Sequence, residues 1–183
     1  FKCGTGTSSR VATLDSGEKY TVGVLVQANY GVREELRVAG VPVGRELPPP
    51  APDARKPGDN GSIIIVVATD APLLPHQLQR LARRAALGLA RNGSYAGNGS
   101  GDIFLAFSTA NAQASQAKKA QGLAMLGNDQ LDPLFLATAD ATEEAIINAL
   151  VAAKDMRGNA GSHAEAIDHA ALRGILARHG RLR

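Results

Sequence analysis

The most constraining stretch of the sequence is a turn-forming run that leads directly into a β-branched strand. Residues 59–61 are Asp-Asn-Gly, which favour a turn because glycine accepts positive φ and Asn and Asp bond their own backbone. Residues 63–67 are Ile-Ile-Ile-Val-Val, which predict a central buried strand that runs on to Thr69. Ser62 lies at the junction. The pattern leaves two interpretations open, namely a serine that caps a turn, or a nucleophile exposed by backbone cleavage after Gly61.

Composition restricts the class of protein. The 183 residues are 44% hydrophobic and 20% charged, which is typical of one soluble globular domain. The net charge of +3 comes from scattered basic residues and only 4% of the residues are aromatic, so we expect no nucleic-acid partner. The single cysteine, Cys3, excludes an intrachain disulfide and a cysteine-based zinc site.

The sequence also restricts where the protein acts. No apolar run reaches the roughly 20 residues that a membrane helix needs, so we expect no membrane partner. No signal-peptide pattern opens the chain. The first residue is Phe1 and the sequence begins within a pattern, so we expect an N-terminal part of a longer precursor to precede it. The expected location is the cytoplasm, or the periplasm if that part carries a signal.

The first third of the chain predicts short antiparallel strands. Residues 1–10 form a Gly/Thr/Ser loop whose Gly-x-Gly-x-x-Ser spacing is only weakly similar to a phosphate loop, because no Lys-Ser/Thr closes it. Alternating apolar residues and turn signals predict strands over residues 11–14, 20–29 and 35–38.

Residues 41–61 are rich in proline and charge, and they predict an exposed linker that packs no core. We therefore treat residues 1–183 as a single domain. Its first part, residues 1–61, would be the C-terminal part of an α chain that ends in the linker, and residues 62–183 would be a β chain.

The rest of the chain predicts helices around one further strand. Apolar residues at helical spacing, with arginines opposite, predict a helix over 76–91. The later elements are a Gly/Asn/Ser loop at 94–101, a strand at 102–109, a mobile excursion at 111–127, a helix at 131–154 interrupted near 138–142, and a helix at 164–179. This order predicts an α+β layered sandwich with two sheets between helices.

One group of residues suggests chemistry around Ser62. Ser100 and Asp102 flank a glycine where a strand is predicted to start, and residues i and i+2 of a strand share a face. Cleavage would give Ser62 a free α-amine, with a reference pKa of about 7.7–8.0 that suits a general base. The alternative is a turn-and-cap pair, since Gly-Asn-Gly-Ser is ordinary turn chemistry. The four histidines favour surface or structural roles, because they lie in or at the ends of predicted helices.

Several long blocks, in order, resemble the L-aminopeptidase/D-Ala-esterase (DmpA-like) family, which includes the β-peptidyl aminopeptidases. The blocks are Gly-Thr-Ser-Ser-Arg at 6–10, the strand and turn at 20–31, Gly-Ser-Ile-Ile-Ile-Val-Val-Ala-Thr-Asp-Ala-Pro-Leu at 61–73, and Gly-Ser-Gly-Asp-Ile-Phe-Leu-Ala-Phe-Ser-Thr at 99–109. Together they span almost the whole chain.

The resemblance implies a four-layer αββα sandwich, similar to the N-terminal-nucleophile hydrolases but with different strand connectivity. It implies that a precursor cleaves itself between Gly61 and Ser62 into α and β chains, of which this chain is roughly the C-terminal half. It further implies assembly as a tetramer of αβ units and catalysis without a metal or organic cofactor.

The resemblance also implies the catalytic residues. Ser62 would be the nucleophile, assisted by Ser100 and by an acid two residues later, which is Asp102 here and Glu in some members. Asn29 would donate to the oxyanion, although from the residues alone it would be a strand-end turn residue. The implied activity is that of a serine aminopeptidase, amidase or esterase. It would release N-terminal L-, D- or β-amino acids from short peptides, amides or esters through an acyl-enzyme on Ser62. The group that binds the free amine of the substrate would lie in the N-terminal part of the precursor.

Two alternatives belong to other classes. One is an acyltransferase of the ornithine-acetyltransferase type, which also cleaves itself but usually before threonine. The other is a structural or ligand-binding relative that no longer cleaves.

Overall fold

The computed structural model describes residues 1–50, 61–116 and 118–182, without the side chain of Ala160. The strands are β1 (Thr5–Thr13), β2 (Lys19–Asn29), β3 (Ser62–Thr69), β4 (Ile103–Ser108), β5 (Met156–Arg157) and β6 (His163–Ala164). The helices are α1 (Val43–Glu46), α2 (Pro75–Arg91), α3 (Asp132–Ala152) and α4 (His169–Arg178), with short 3₁₀ turns between them. None of the described helices is long and apolar enough to cross a membrane.

The main sheet has the order β1-β2-β3-β4, and β5 and β6 form a separate hairpin. The β1–β2 and β2–β3 pairs are antiparallel, whereas β3 and β4 are parallel. A parallel pair needs a crossover, which α2 supplies between β3 and β4. The strand predicted from the β-branched run therefore lies in the interior of the sheet, with a neighbour on each side.

One face of the sheet is covered by α2 and α3. Every second residue of β2 and β3 points into this layer, and the buried set includes Val22, Val24, Val26, Ile63, Ile65 and Val67. The polar edge strand β1 fits closely against α3, because a side-chain carbon at Gly6 would lie 2.0 Å from the carbonyl oxygen of Ala145. Glycine at this position therefore lets the helix approach the strand backbone.

The other face of the sheet is open and apolar. Ile64 is 44% exposed and Leu105 is 55% exposed, and Leu25, Ile103 and Phe107 are also exposed. The architecture is α+β, as predicted. The described residues supply one helix layer and one sheet of the αββα sandwich, and the open face has the character of a surface that packs against another sheet.

Two predictions around the linker are wrong. The strand expected at 35–38 is instead a 3₁₀ turn at Arg33–Glu35 followed by a single bridge between Val38 and Val41. The exposed linker does not begin at residue 41, because Val41, α1 and Leu47 pack into a core. Residues 48–50 are exposed, and residues 51–60 of the predicted linker lie outside the described residues.

Other element boundaries also differ from the prediction. β1 begins at Thr5, within the segment expected to be a loop. α3 runs without interruption, and the hydroxyls of its buried residues Thr138 and Thr142 bond the carbonyls of Leu134 and Thr138 one turn earlier. α4 begins at His169, since Asp168 caps its first turn by accepting bonds from two backbone N–H groups.

Candidate active site

Ser62 is the first residue of β3, and Asn29 is the last residue of β2. The antiparallel register places the two directly opposite each other. Directly opposite residues have Cβ atoms about 4.5–5.5 Å apart and share a face of the sheet. Both side chains lie on the open face, so a group bound to the Ser62 hydroxyl is within reach of the Asn29 amide.

The Ser62 hydroxyl is held by the loop that precedes β4. The backbone N–H of Gly101 donates to Ser62 Oγ at 3.0 Å. Ser100 therefore lies next to the residue that contacts Ser62, and its own N–H donates to the Gly97 carbonyl at 2.8 Å. Because Ser62 Oγ accepts the Gly101 bond, its own proton remains available to a base.

Ala96 gives the same loop an unusual backbone. Its φ is +49°, in the left-handed region that residues other than glycine seldom adopt. Such conformations cost of order 1–3 kcal/mol and persist where the surrounding structure holds them in place. The loop that delivers the Gly101 N–H is thus fixed in shape.

Asp102 lies beside Ser62 but contacts the residue after it. Its Oδ1 accepts the Ile63 backbone N–H at 3.1 Å. Its Oδ2 is buried and has no hydrogen-bond partner among the described residues. The prediction that Ser100 and Asp102 share a strand face is wrong, because β4 begins only at Ile103 and both residues belong to the loop. The carboxylate still reaches the backbone immediately after Ser62.

Gly61 fits tightly against the end of β2. A side-chain carbon at this position would lie 2.2 Å from the Asn29 carbonyl oxygen and 2.7 Å from the Tyr30 Cα. Both distances are far below van der Waals contact, so only glycine fits this backbone. The peptide bond before Ser62 is consequently held against the residue predicted to stabilise an oxyanion.

Tyr30 supports this end of the sheet from the core side, where it packs against the main hydrophobic core. Burial raises the pKa of Tyr30 far above its usual range, and the nearby Cys3 and Asp102 raise it further. The raised pKa favours the neutral phenol. Burial also raises the pKa of the Cys3 thiol, which favours the unreactive protonated form.

The four predicted residues thus lie at one end of the sheet. His179 instead pairs with Glu46, its Nε2 lying 2.7 Å from Glu46 Oε1. Among the residues that the structure describes, no cluster of three or more His, Cys, Asp or Glu side chains could hold a metal ion.

The sequence interpretation missed the backbone contributions, namely the Gly101 N–H and the close approach at Gly61. The available signals were the glycine on each side of Ser100 and Gly61 directly before Ser62, since glycine allows close backbone approach.

Two curated relatives match all or nearly all of this chain. It is 52% identical, over 196 residues, to the β-peptidyl aminopeptidase BapA of Sphingosinicella microcystinivorans, covering 100% of this chain and 49% of the relative. It is 46% identical to BapA of Sphingosinicella xenopeptidilytica, covering 96% of this chain and 46% of the relative. The chain spans about half the length of these relatives.

Solved structures agree with this. The L-aminopeptidase D-Ala-esterase/amidase of Ochrobactrum anthropi, described as a prototype for the serine aminopeptidases and a new variant among the Ntn hydrolase fold, superimposes with a TM-score of 0.88 at 48% identity. The match covers 100% of this chain and 50% of that one. A Burkholderia sp. β-aminopeptidase, 49% identical, superimposes with a TM-score of 0.82, covering 100% of this chain and 51% of that one.

A family model agrees with both comparisons. The model of peptidase family S58 matches residues 1–164, which contain Asn29, Ser62, Ser100 and Asp102 and exclude α4. On this match and on these identities, the chain belongs to peptidase family S58.

Proposed function

We propose that this chain is the catalytic half of a self-processing serine aminopeptidase, with Ser62 as the nucleophile. The observation that supports the proposal most strongly is the junction between Gly61 and β3. The Ser62 hydroxyl lies at the start of the strand, opposite the Asn29 amide, and directly after the tightly packed Gly61. The relatives are named as aminopeptidases, and the S58 family is a peptidase family.

The first reaction is cleavage of the chain. Ser62 Oγ attacks the Gly61 carbonyl carbon, the C–N bond to Ser62 breaks, and the acyl group moves from nitrogen to oxygen. Water then hydrolyses the ester and releases the Gly61 carboxylate. The product is a β chain whose first residue carries both a hydroxyl and an α-amine.

The second reaction is turnover of substrate. Ser62 Oγ attacks the carbonyl carbon of the substrate's N-terminal residue, and the Ser62 α-amine takes the hydroxyl proton as general base. The Asn29 amide donates to the developing oxyanion, a contribution worth about 10²–10³ in rate. The leaving amine or alcohol accepts the proton, and water then attacks the acyl-enzyme and frees the residue.

Asp102 is suited to orient the new amine. Its Oδ1 is occupied by the Ile63 N–H, whereas its buried Oδ2 has no partner among the described residues. Cleavage adds hydrogen-bond donors to the Ser62 nitrogen, one residue away, and the free carboxylate oxygen is placed to accept from them. Ser100, next to the Gly101 contact, completes the set that handles the proton.

The position of Gly61 supports a substrate class. The acyl residue of a substrate must bond the same oxygen that Gly61 bonds during cleavage, and an L side chain does not fit on the Gly61 Cα. A β-amino acid that carries its side chain next to the amine has an unsubstituted CH₂ beside its carbonyl. We therefore propose β-peptides and β-amino-acid amides as substrates, in agreement with the names of two curated relatives.

The open apolar face supports a further part of the proposal. Because relatives are about twice as long, we propose that the remaining half of the protein supplies a second sheet that covers this face. The residue that binds the substrate amine would lie in that half, and αβ units would assemble into a tetramer.

Ser62→Ala tests the nucleophile, with Ser16→Ala in the exposed β1–β2 turn as the matched control. We expect the intact mass of Ser62→Ala to stay that of one uncut chain, without activity toward amino-acid p-nitroanilides. The control should give two masses and normal activity. Two masses from Ser62→Ala would refute the assignment.

The substrate class is tested separately with p-nitroanilides of a β-amino acid, of glycine and of the matching L-α-amino acid. We expect the β-amino acid and glycine to be released faster than the L-α-residue. Preference for the L-α-residue would reject the substrate class and leave the nucleophile untouched.

A further inference from the structure

The C-terminal helix and the segment after β2 share a second hydrophobic core. We call residues 33–47 the hook, since the chain folds back on itself there through the 3₁₀ turn, the Val38–Val41 bridge and α1. This core is separate from the main one. Its buried members are Val38, Val41, Val43 and Leu47 of the hook, and Ile167, Leu172, Ile175 and Leu176 of α4 and the residues before it.

Ionic contacts join the same two elements. Glu46 accepts a bond from Arg178 Nη2 at 3.1 Å, and its other oxygen lies 2.7 Å from His179 Nε2. The hydrogen bond with His179 lowers the pKa of Glu46, and Arg178 lowers it further. The carboxylate is therefore ionised at neutral pH and ties the end of α1 to the end of α4.

The opposite side of the hook contacts the start of the loop that holds Ser62. Arg37 N–H donates to the Asn92 carbonyl at 3.1 Å, and Asn92 Nδ2 donates to the Arg37 carbonyl at 3.3 Å. A side-chain carbon at Gly93 would lie 1.8 Å from the Glu35 carbonyl oxygen. Residues 92–93 are thus packed directly against the hook, and the loop that begins there ends at Gly101.

The hook also continues from the predicted oxyanion donor, since it begins four residues after Asn29. It therefore connects both sides of the site, the Asn29 side through the chain and the Gly101 side through Asn92. Its own backbone contains one bridge and four-residue or shorter helical turns, which provide little regular hydrogen bonding. Packing against α4, together with the contacts to residues 92–93, therefore holds this segment in one conformation.

We propose that α4 is a positioning element for the active site, which acts through the hook to keep Asn29 and the Gly101 N–H in place around Ser62. The proposal rests on the proposed function for the identity of the site. The family model matches residues 1–164, so it does not include α4.

The test compares two aspartates placed on opposite faces of α4 in the full-length protein. Ile175 is 2% exposed in the second core, whereas Ala177 is exposed two residues later. Ile175→Asp should lower kcat at least about tenfold with a smaller change in KM, because a small misplacement of catalytic groups is costly. Ala177→Asp should keep the wild-type values.

Hydrogen exchange distinguishes positioning from simple packing. With Ile175→Asp, amides of both the hook and residues 92–101 should exchange faster, while those of α2 should stay protected and show that the main core is folded. Faster exchange in the hook alone, with unchanged kcat, would overturn the proposal. If Ile175→Asp does not fold, Leu172→Ala makes the same comparison with a milder loss of packing.

The exchange measurement is repeated with Ser62→Ala in both backgrounds. Coupling between α4 and residues 92–101 does not require cleavage or activity, so it should persist there. If Ile175→Asp does not speed exchange of residues 92–101 in the Ser62→Ala background, the positioning role of α4 is rejected. If the wild-type protein is inactive but Ile175→Asp still speeds that exchange, only the proposed function is rejected.

Discussion

Asn29 and Ser62 face each other across the last pair of the antiparallel β2–β3 ladder. The two residues are distant in sequence, and 10 of the residues between them are not described. The antiparallel register of β2 and β3 places them opposite each other. A slip of one residue would turn Ser62 to the core face, so the apolar alternation of β2 and β3 fixes the site as well as the fold.

Gly61→Ala should slow self-cleavage. The added methyl group would lie 2.2 Å from the Asn29 carbonyl oxygen, so the peptide bond before Ser62 must move out of place. We expect the rate of chain splitting, followed by intact mass after synthesis, to fall at least about tenfold. Gly122→Ala is the control, because a side-chain carbon there meets nothing within 4 Å. Equal rates for both variants would contradict the tight junction.

Asp102→Asn should remove the negative charge of this side chain while keeping its hydrogen bond with the Ile63 N–H. Asparagine keeps an oxygen that can accept the Ile63 N–H, so we expect the melting temperature to change little. The loss of the carboxylate should lower kcat/KM by about 10²–10⁴.

The matched control for this prediction is Asp70→Asn. Asp70 Oδ1 accepts the Thr21 N–H at 2.7 Å, near the other end of β3. This variant should retain activity close to that of the wild type. If the two variants lose activity equally, the effect of Asp102 is structural.

Glu144 should contribute stability that depends on pH. Its pKa is lowered by the hydrogen bond from Ser8 and by Arg10, whose Nη1 lies 2.5 Å from the carboxylate. A lowered carboxyl pKa stabilises the fold above the unfolded-state value of about 4.3, and that contribution is lost as the pH falls through the folded-state value.

Glu144→Gln should therefore melt at a lower temperature than the wild type at pH 7, and the difference should shrink below about pH 4. Because the pair is largely exposed, the difference should be small. Glu34→Gln, at an exposed position of the hook, should not show this pattern. A difference for Glu144→Gln that is constant with pH would indicate packing rather than charge.

Leu105→Asp should be strongly destabilising in the full-length protein if a second sheet covers the open face. Leu105 is 55% exposed in this structure and Leu87, on the outer side of α2, is 57% exposed. An unpaired charge buried between sheets costs about 3–5 kcal/mol, whereas one at an exposed helix position is tolerated. Chemical denaturation of Leu105→Asp and Leu87→Asp measures the contrast, and equal stabilities would show that the face stays uncovered.

The sequence was sufficient to predict an element where its local pattern is compatible with only one secondary structure. β3 follows from its β-branched run, and α2 from its apolar stripe with Pro75 in the first turn. The surroundings of Ser62 were partly predictable from these elements. Its position directly after a glycine and at the start of a strand limits which groups the hydroxyl can contact.

The hook was not predictable in this way. Residues 35–38 alternate like a strand, but no second strand in the described part of the chain pairs with them along their length. Their backbone bonds go to Val32, Arg33, Val41, Gly44 and Asn92. Val38 also packs in one core with α4, more than a hundred residues later. The interruption predicted within α3 was wrong for a related reason. Threonine weakens an isolated helix, but here the hydroxyls of Thr138 and Thr142 bond carbonyl oxygens of the same helix. Both depend on distant or cooperative contacts that local patterns do not encode.

The β2–β3 ladder, with eight residue pairs, has a consequence for the life of the protein. If the chain is cleaved before Ser62 as proposed, β2 and β3 would belong to separate polypeptides. Renaturation of the cleaved protein would then be a second-order process, slowed by dilution, whereas an uncut chain carries both strands in one molecule. Cleavage would thus convert a precursor that refolds as one chain into a mature enzyme that stays folded only while β2 and β3 remain paired.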